Sequence, residues 1–291
     1  MKTNIRLKLL SPLMHFGDER MGTMQIQRTL KFNVEGEYIE VPVYSGNAFR
    51  GQLRRIAMRD YLERIGVAQE GISTKLYYLL FTGGTLTSGS RYIEIGDKRT
   101  MREMCPPLSL FGTAFKDQIP EGKMKVGIFK PICKELIDYT GIESDKSFYD
   151  MLGDTFYTRR DDLKSKDFNI IDNEKYENPI QMKYEMQGLS AGTELISRII
   201  IENSNDLEEE CLKAILEKFK ENPYIGGKSA IGHGEVEVFF DINADENLYY
   251  EYLSQNKESM VAWIREVEKN LWIKKHMCFQ SAKIEKMKCK T

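Results

Sequence analysis

Histidine and cysteine are scarce in this chain, and neither is arranged for metal. The 291 residues include three histidines and five cysteines: Cys105, Cys133, Cys211, Cys278 and Cys289. The cysteines are odd in number and form no CxxC pair, which argues against a zinc site or a disulfide framework and for a reducing compartment. No apolar run approaches the roughly 20 residues that a bilayer-spanning helix needs. The first ten residues alternate polar and apolar, as a strand does, and lack a signal-peptide core. These absences predict a cytoplasmic protein with no cofactor and no membrane partner. An excess of one charge is missing too. The net charge of −2 gives no global attraction to nucleic acid, so any such binding must rest on local patches.

Hydrophobic residues at 41% and charged residues at 30% supply ample core for one large domain or two small ones. Alternation marks strands at 3–10, 124–133, about 193–202 and 235–241, and a hairpin of 25–34 with 37–44 around Glu35-Gly36. Helical spacing marks 47–65, about 206–221 and a region around 246–273. Asp206 with Glu209 reads as the second helix's cap, Leu207, Cys211, Ile215 and Phe219 as its buried stripe, and Asn222-Pro223 as its stop. Residues 138–179 are polar and aperiodic, and read as a protruding loop or long hairpin. Without the insertions the order is strand, helix, strand, strand, helix, strand: an α+β, ferredoxin-like pattern.

The stretch Ser45–Arg55 (Ser-Gly-Asn-Ala-Phe-Arg-Gly-Gln-Leu-Arg-Arg) carries the most chemistry. Phe49, Leu53, Ile56 and Ala57 have core-facing spacing, and Asn47 is a good N-cap. Ser45 and Gly46 form a small-residue turn that leaves N–H donors unpaired at the helix start, a setting suited to an anion. Arg50 and Arg54 share one face, Arg55 and Arg59 another. Cations crowding a helix start are slightly unfavourable, and a docked anion would remove that penalty. A solvated arginine face is the competing reading.

Residues 226–234 (Gly-Gly-Lys-Ser-Ala-Ile-Gly-His-Gly) form the second stretch. A P-loop requires an earlier glycine and a strand leading into a helix. Here the region of Asn222-Pro223 precedes Gly227-Lys228, and a helix leads into a strand, so nucleotide hydrolysis is not expected. Gly226, Gly227, Lys228, Ser229 and His233 suit a loop whose backbone closely approaches phosphate. A turn that needs glycine only for its φ angles is the alternative.

A glycine-rich loop between the second helix and last strand of a ferredoxin-like core resembles the RAMP superfamily, the RNA-binding proteins of CRISPR systems. Four further stretches agree with its backbone-subunit branch: Ser45–Arg55, Pro107–Gly112, Thr158–Leu163, and Tyr184-Glu185 leading to Ala191-Gly192-Thr193. The wording of 45–55 and 226–234 is most similar to the type IV backbone subunit. The matches run from about residue 5 to 240. The resemblance implies a right hand: a palm of 1–65, 123–154 and 186–245, fingers at 66–122, and a thumb hairpin at 155–185. Residues 246–291 lie outside it as a C-terminal helix and basic tail. It also implies polymerisation of copies along a CRISPR guide RNA, with target nucleic acid read through the guide and with other effector subunits as partners. The protein would hold phosphates and sugars while base pairing reads sequence. Arg159 and Arg160 in the thumb would contact the guide or a neighbouring copy, or else pair with Asp161 and Asp162 on the surface.

No catalytic residue is expected. Asp18, beside Glu19, is the alternative, since type III relatives cut target RNA from a loop aspartate with a metal ion, although a capping or solvated acid is the plainer reading. An RNA-processing enzyme would use His15 or His233 as general base. A ferredoxin-like scaffold that binds no RNA is the third reading. The lysines of the tail, Lys274, Lys275, Lys283, Lys286, Lys288 and Lys290, read as a solvated end.

Overall fold

The computed structural model describes residues 1–22, 24–84, 94–114, 118–159 and 182–269, with backbone alone at 18–20, 159 and 182. Strand β1 (Lys2–Leu9) buries every second residue, with Thr3, Ile5, Leu7 and Leu9 inward and Lys2, Asn4, Arg6 and Lys8 outward, the period-two pattern of a sheet covered on one side. Strands β2 (Phe16–Met21) and β3 (Met24–Gln27) follow, then the hairpin β4 (Thr29–Val34) and β5 (Glu37–Pro42), paired from Thr29↔Pro42 to Val34↔Glu37. That turn lies where Glu35-Gly36 predicts it, and both residues have positive φ.

Helix α1 (Gly46–Ile65) buries Phe49, Leu53, Ala57, Met58, Tyr61 and Ile65. Two short helical stretches, α2 (Thr74–Tyr77) and a π-helical turn (Tyr78–Thr82), precede α3 (Ile95–Met104) and α4 (Pro106–Phe111). Strands β6 (Met124–Val126) and β7 (Lys130–Pro131) stand where sequence predicts one strand at 124–133. The break has a cause. Tyr44 reaches across to pair with Phe129, in both directions at 3.1 and 2.9 Å, and the start of α1 docks on Gly127.

After the short helix α5 (Ile137–Thr140) come β8 (Leu152–Arg159) and β9 (Met182–Leu189), antiparallel from Leu152↔Leu189 to Arg159↔Met182. The expected protruding segment at 138–179 therefore includes packed chain. Phe148 and Met151 are buried, and Ser147 and the Phe148 N–H bind the Glu135 carboxylate. The expected thumb, 155–185, overlaps the paired ends of β8 and β9, and its middle lies outside the described residues. So does the lysine tail.

Strand β10 (Glu194–Ile201) leads to α6 (Asp206–Lys220), β11 (Val236–Phe240), α7 (Glu246–Gln255) and a last helix, α8, at 257–269. The cap of α6 lies one residue earlier than sequence predicts. Asn205 accepts from the Glu208 N–H at 2.9 Å, and the Glu208 carboxylate accepts from the Asn205 N–H at 3.1 Å, a reciprocal capping box. Asp206 is the first helical residue, and Leu207 is only half-buried.

The protein is α+β with antiparallel central pairing. The main sheet runs β11-β1-β10-β6, with β7 also on β10, and every pair in it is antiparallel. Helices α1 and α6 cover its inner face, where Phe49 meets Phe219 edge-on at 5.4 Å and Phe129 at 5.0 Å, a favourable aromatic geometry. A second sheet runs β2-β3-β9-β8, closed by the parallel contact Gln25↔Met186. Leu76, Leu80, Leu108, Phe111, Tyr249, Leu253, Met260 and Ile264 join the same core, so α2, the π-helical turn, α4, α7 and α8 share one core with the main sheet and its covering helices.

Candidate nucleic-acid interface

The two stretches that sequence singles out, Ser45–Arg55 and Gly226–Gly234, meet on a ledge formed by residues 12–15. Gly227 donates its N–H to the Met14 carbonyl at 2.8 Å, and Gly234 donates to the Pro12 carbonyl at 2.9 Å. From the other side, the Ser45 N–H donates to His15 Nε2 at 3.2 Å. Gln52 ties the helix to the chain just before the loop, donating to the Tyr224 carbonyl.

Asn47 is not the cap that sequence predicts. The helix begins at Gly46, Ser45 occupies the cap position without a side-chain bond, and Asn47 lies exposed in the first turn. Gly46 packs against the backbone just after β6, where a Cβ would lie 2.3 Å from the Gly127 carbonyl oxygen. The first three helical N–H groups, of Gly46, Asn47 and Ala48, have no intrahelical acceptor, and His15 orders the turn before them.

Gly226 through Gly232 are all exposed, an open loop of backbone with Lys228 at its centre. Its glycines divide by purpose. Gly226 (φ +74°) and Gly234 (φ +81°) press on backbone, with a Cβ there 2.6 Å from the Met14 oxygen and 1.9 Å from the Ile225 oxygen respectively. Gly227 has only an ordinary 3.6 Å neighbour, while Gly232 (φ +87°) has open space and needs glycine for its conformation alone. Lys228 itself adopts positive φ (65°) and holds its ammonium 5.9 Å from the Tyr184 ring centre. Ser229 begins a short 3-10 turn to Ile231.

Other expected members are not on this surface. His233 is 4% exposed. Its Nδ1 donates to the Pro12 carbonyl at 3.2 Å, and its Nε2 is hydrogen-bonded to the Tyr157 hydroxyl. It braces β8 against the ledge and presents no nitrogen to a ligand. Arg54 is 6% exposed and donates to the carbonyls of Leu80 (Nε, 2.5 Å) and Leu79 (Nη2, 3.0 Å). Arg50, half-buried, donates from Nη2 to the Phe111 carbonyl at 2.5 Å. Burial lowers both guanidinium pKa values, Arg54 to about 10 with help from the charge of Arg50. Their shared face therefore answers the charge puzzle without an anion. Each arginine neutralises the C-terminal carbonyls of a neighbouring helical segment, where a cation is favoured. Arg55, on the other face, is exposed. The side chain of Arg159, all of Arg160 and the side chain of Asp18 lie outside the described residues.

Sequence reasoning passes over Arg28. Its Nε is buried without a hydrogen-bond partner, and it lines a 330 Å³ depression with Gly17, Thr29, Lys31 and Glu40. No spacing singles it out, because it becomes notable only where β3 passes His15. Burial first, and then the charge of Arg28, lower the His15 pKa to about 4. A neutral His15 is what the Ser45 N–H requires. Between about pH 4 and the ordinary value of 6.5 the unfolded chain binds a proton that the folded chain refuses. This contribution is therefore complete above 6.5 and is lost as pH falls towards 4. Urea midpoints measured near neutrality and at about pH 5 are expected to fall less for His15→Gln than for the parent. Equal falls would show that His15 does not couple to folding.

Among the described residues no group of three His, Cys, Asp or Glu side chains is placed to hold a metal ion, and no helix is long and apolar enough to cross a membrane. No family model matches the chain, and no curated protein matches it. Among solved structures, a chain of a "Type IV-B CRISPR Complex" superposes with a TM-score of 0.64 at 20% identity, over 84% of this chain and 92% of that one. This chain therefore has the fold of a subunit of that complex.

Proposed function

We propose that this protein is a non-enzymatic backbone subunit of a type IV-like CRISPR complex, binding guide RNA along the ledge that joins the α1 start to the 226–232 loop. The observation that carries the reading is the meeting of the two stretches, far apart in sequence, on residues 12–15, in a fold shared with a subunit of such a complex. Further support comes from the strand order β11-β1-β10-β6. In chain order of the core strands this is fourth, first, third, second, as in a ferredoxin-like palm. In this reading residues 66–122 are the fingers, 155–185 belong to the thumb, and copies polymerise along the guide. Backbone donors and Lys228 hold phosphate without reading bases.

The test is binding of single-stranded RNA by the full chain as a function of salt. Lys228→Ala is expected to weaken binding to all sequences alike and to reduce the salt slope by about one unit. Gly227→Val is expected to weaken it further at an unchanged urea midpoint, since its new Cβ meets only an ordinary contact while its methyls stand where RNA would approach. Normal RNA binding by both folded variants would remove the loop from the interface, and ATP hydrolysis sensitive to Lys228 would replace the reading altogether. Magnesium-dependent cleavage of matched target RNA that is lost in Asp18→Ala would overturn its non-enzymatic part.

A further inference from the structure

Beside the exposed face of α1 a cleft of about 310 Å³ opens, lined by Arg55, Arg59, Leu62, Ile72, Tyr77 and Phe81. Its composition is unusual for a surface depression. Tyr77 and Phe81, one helical turn apart, stack their rings at 4.8 Å with 14° between planes, and Tyr77 remains 44% exposed. Opposite them, Arg55 and Arg59 are exposed and, among the described residues, make no ion pair. Leu62 and Ile72 supply apolar surface. Unlike Arg50 and Arg54, these two arginines do nothing evident for the fold.

We propose that this cleft is a nucleobase subsite, in which one base of a bound single strand stacks on Tyr77 while Arg55 and Arg59 engage its flanking phosphates. Three observations favour a nucleotide as occupant. Guanidiniums with no ion pair among the described residues, beside an exposed aromatic ring, are complementary to a planar ring carrying an anion. The volume is at the small end for ligand sites, so it admits one ring and excludes a partner helix. The cleft also lies along the helix whose start forms one side of the ledge, with Arg55 about 14 Å along α1 from its start. A strand leaving the glycine loop along α1 passes over it. The inference rests on the RNA-binding reading but concerns a different set of side chains.

Two probes separate base from backbone: an unstructured single-stranded oligouridine, and an abasic ribose-phosphate oligomer of equal length. With the full chain, Tyr77→Ala is expected to weaken oligouridine binding roughly tenfold and to leave abasic binding unchanged, while Tyr77→Phe retains both. Arg59→Ala is expected to weaken both probes and to lower the salt slope by about one unit. Tyr77 is exposed, so these variants should keep the parental urea midpoint, and Tyr77→Leu serves if the alanine variant does not. Equal loss on both probes, or no loss on oligouridine while Lys228→Ala still weakens it, overturns the subsite and leaves the ledge standing. Failure of the parent chain to bind either probe removes both.

Discussion

Gly46→Val is expected to yield no cooperatively folding protein. The residue does not have positive φ, so its requirement for glycine is purely steric. A Cβ there would lie 2.3 Å from the Gly127 oxygen, 2.6 Å from the Val126 oxygen and 2.8 Å from the Gly127 carbonyl carbon. All three atoms are backbone, and that backbone cannot retreat. Gly127 donates to the Arg198 carbonyl at 2.9 Å, and a Cβ at Gly127 would itself stand 3.0 Å from Ser197 Oγ. The alternative is for α1 to withdraw. That breaks the double Tyr44–Phe129 pairing and the Ser45–His15 bond, and it pulls Phe49 from its contacts with Phe129 and Phe219. Losses of this kind exceed about 4 kcal/mol, against a total stability of about 5–15 kcal/mol. Asn47→Ala, one residue on, should shift stability by no more than about 0.5 kcal/mol, because its side chain is exposed and caps nothing. Circular dichroism across a urea series distinguishes the two, and a parental transition in Gly46→Val would mean that α1 does not approach β6 this closely.

Elements governed by local periodicity are legible in the amino-acid sequence. The alternation in Lys2–Leu9, the Glu35-Gly36 turn, and the apolar spacing of α1 and α6 each depend on neighbours within a few residues. What is not legible depends on distant chain. The 124–133 strand splits because Tyr44 and Gly46, from much earlier in the chain, dock on it. The segment 138–179 reads as polar and aperiodic, yet its Ser147 and Phe148 fold back onto the Glu135 carboxylate. The α6 cap moves from Asp206 to Asn205 because Glu208 also accepts from Ser109 at 2.5 Å and pairs with Lys123 at 2.7 Å, contacts that fix its rotamer from outside the helix. At the candidate site, sequence locates the glycine loop and the helix start but not their meeting. It does not divide the arginines into those that serve the fold and those that face solvent, because spacing gives a face and only tertiary structure says what that face meets.

That division leads to the second large effect. Arg54→Ala is expected to lower stability by about 2–4 kcal/mol, although sequence places this residue at a ligand. Its guanidinium satisfies two carbonyls at the end of the π-helical turn Tyr78–Thr82. The Leu79 oxygen keeps the Thr113 hydroxyl, at 2.8 Å, when the arginine is gone. The Leu80 oxygen loses the one partner that Arg54 supplies and, with Leu80 itself fully buried, has little water to replace it. An orphaned buried carbonyl costs about 1–3 kcal/mol, and the loss of a long packed side chain adds to that. Relief from burying a charge offsets part of the total. Arg54→Met separates these contributions, since it restores the stem and its packing but supplies no donor. It should recover only the packing share, whereas Arg55→Ala, on the exposed face, should leave the urea midpoint unchanged. If Arg54→Met is as stable as the parent, the guanidinium is dispensable to the fold and a ligand-binding role for Arg54 reopens. If it is not, the arginine that looked most like a phosphate anchor is a helix cap, and a loss of RNA binding in Arg54→Ala reports local unfolding around Tyr78–Thr82 rather than a missing contact.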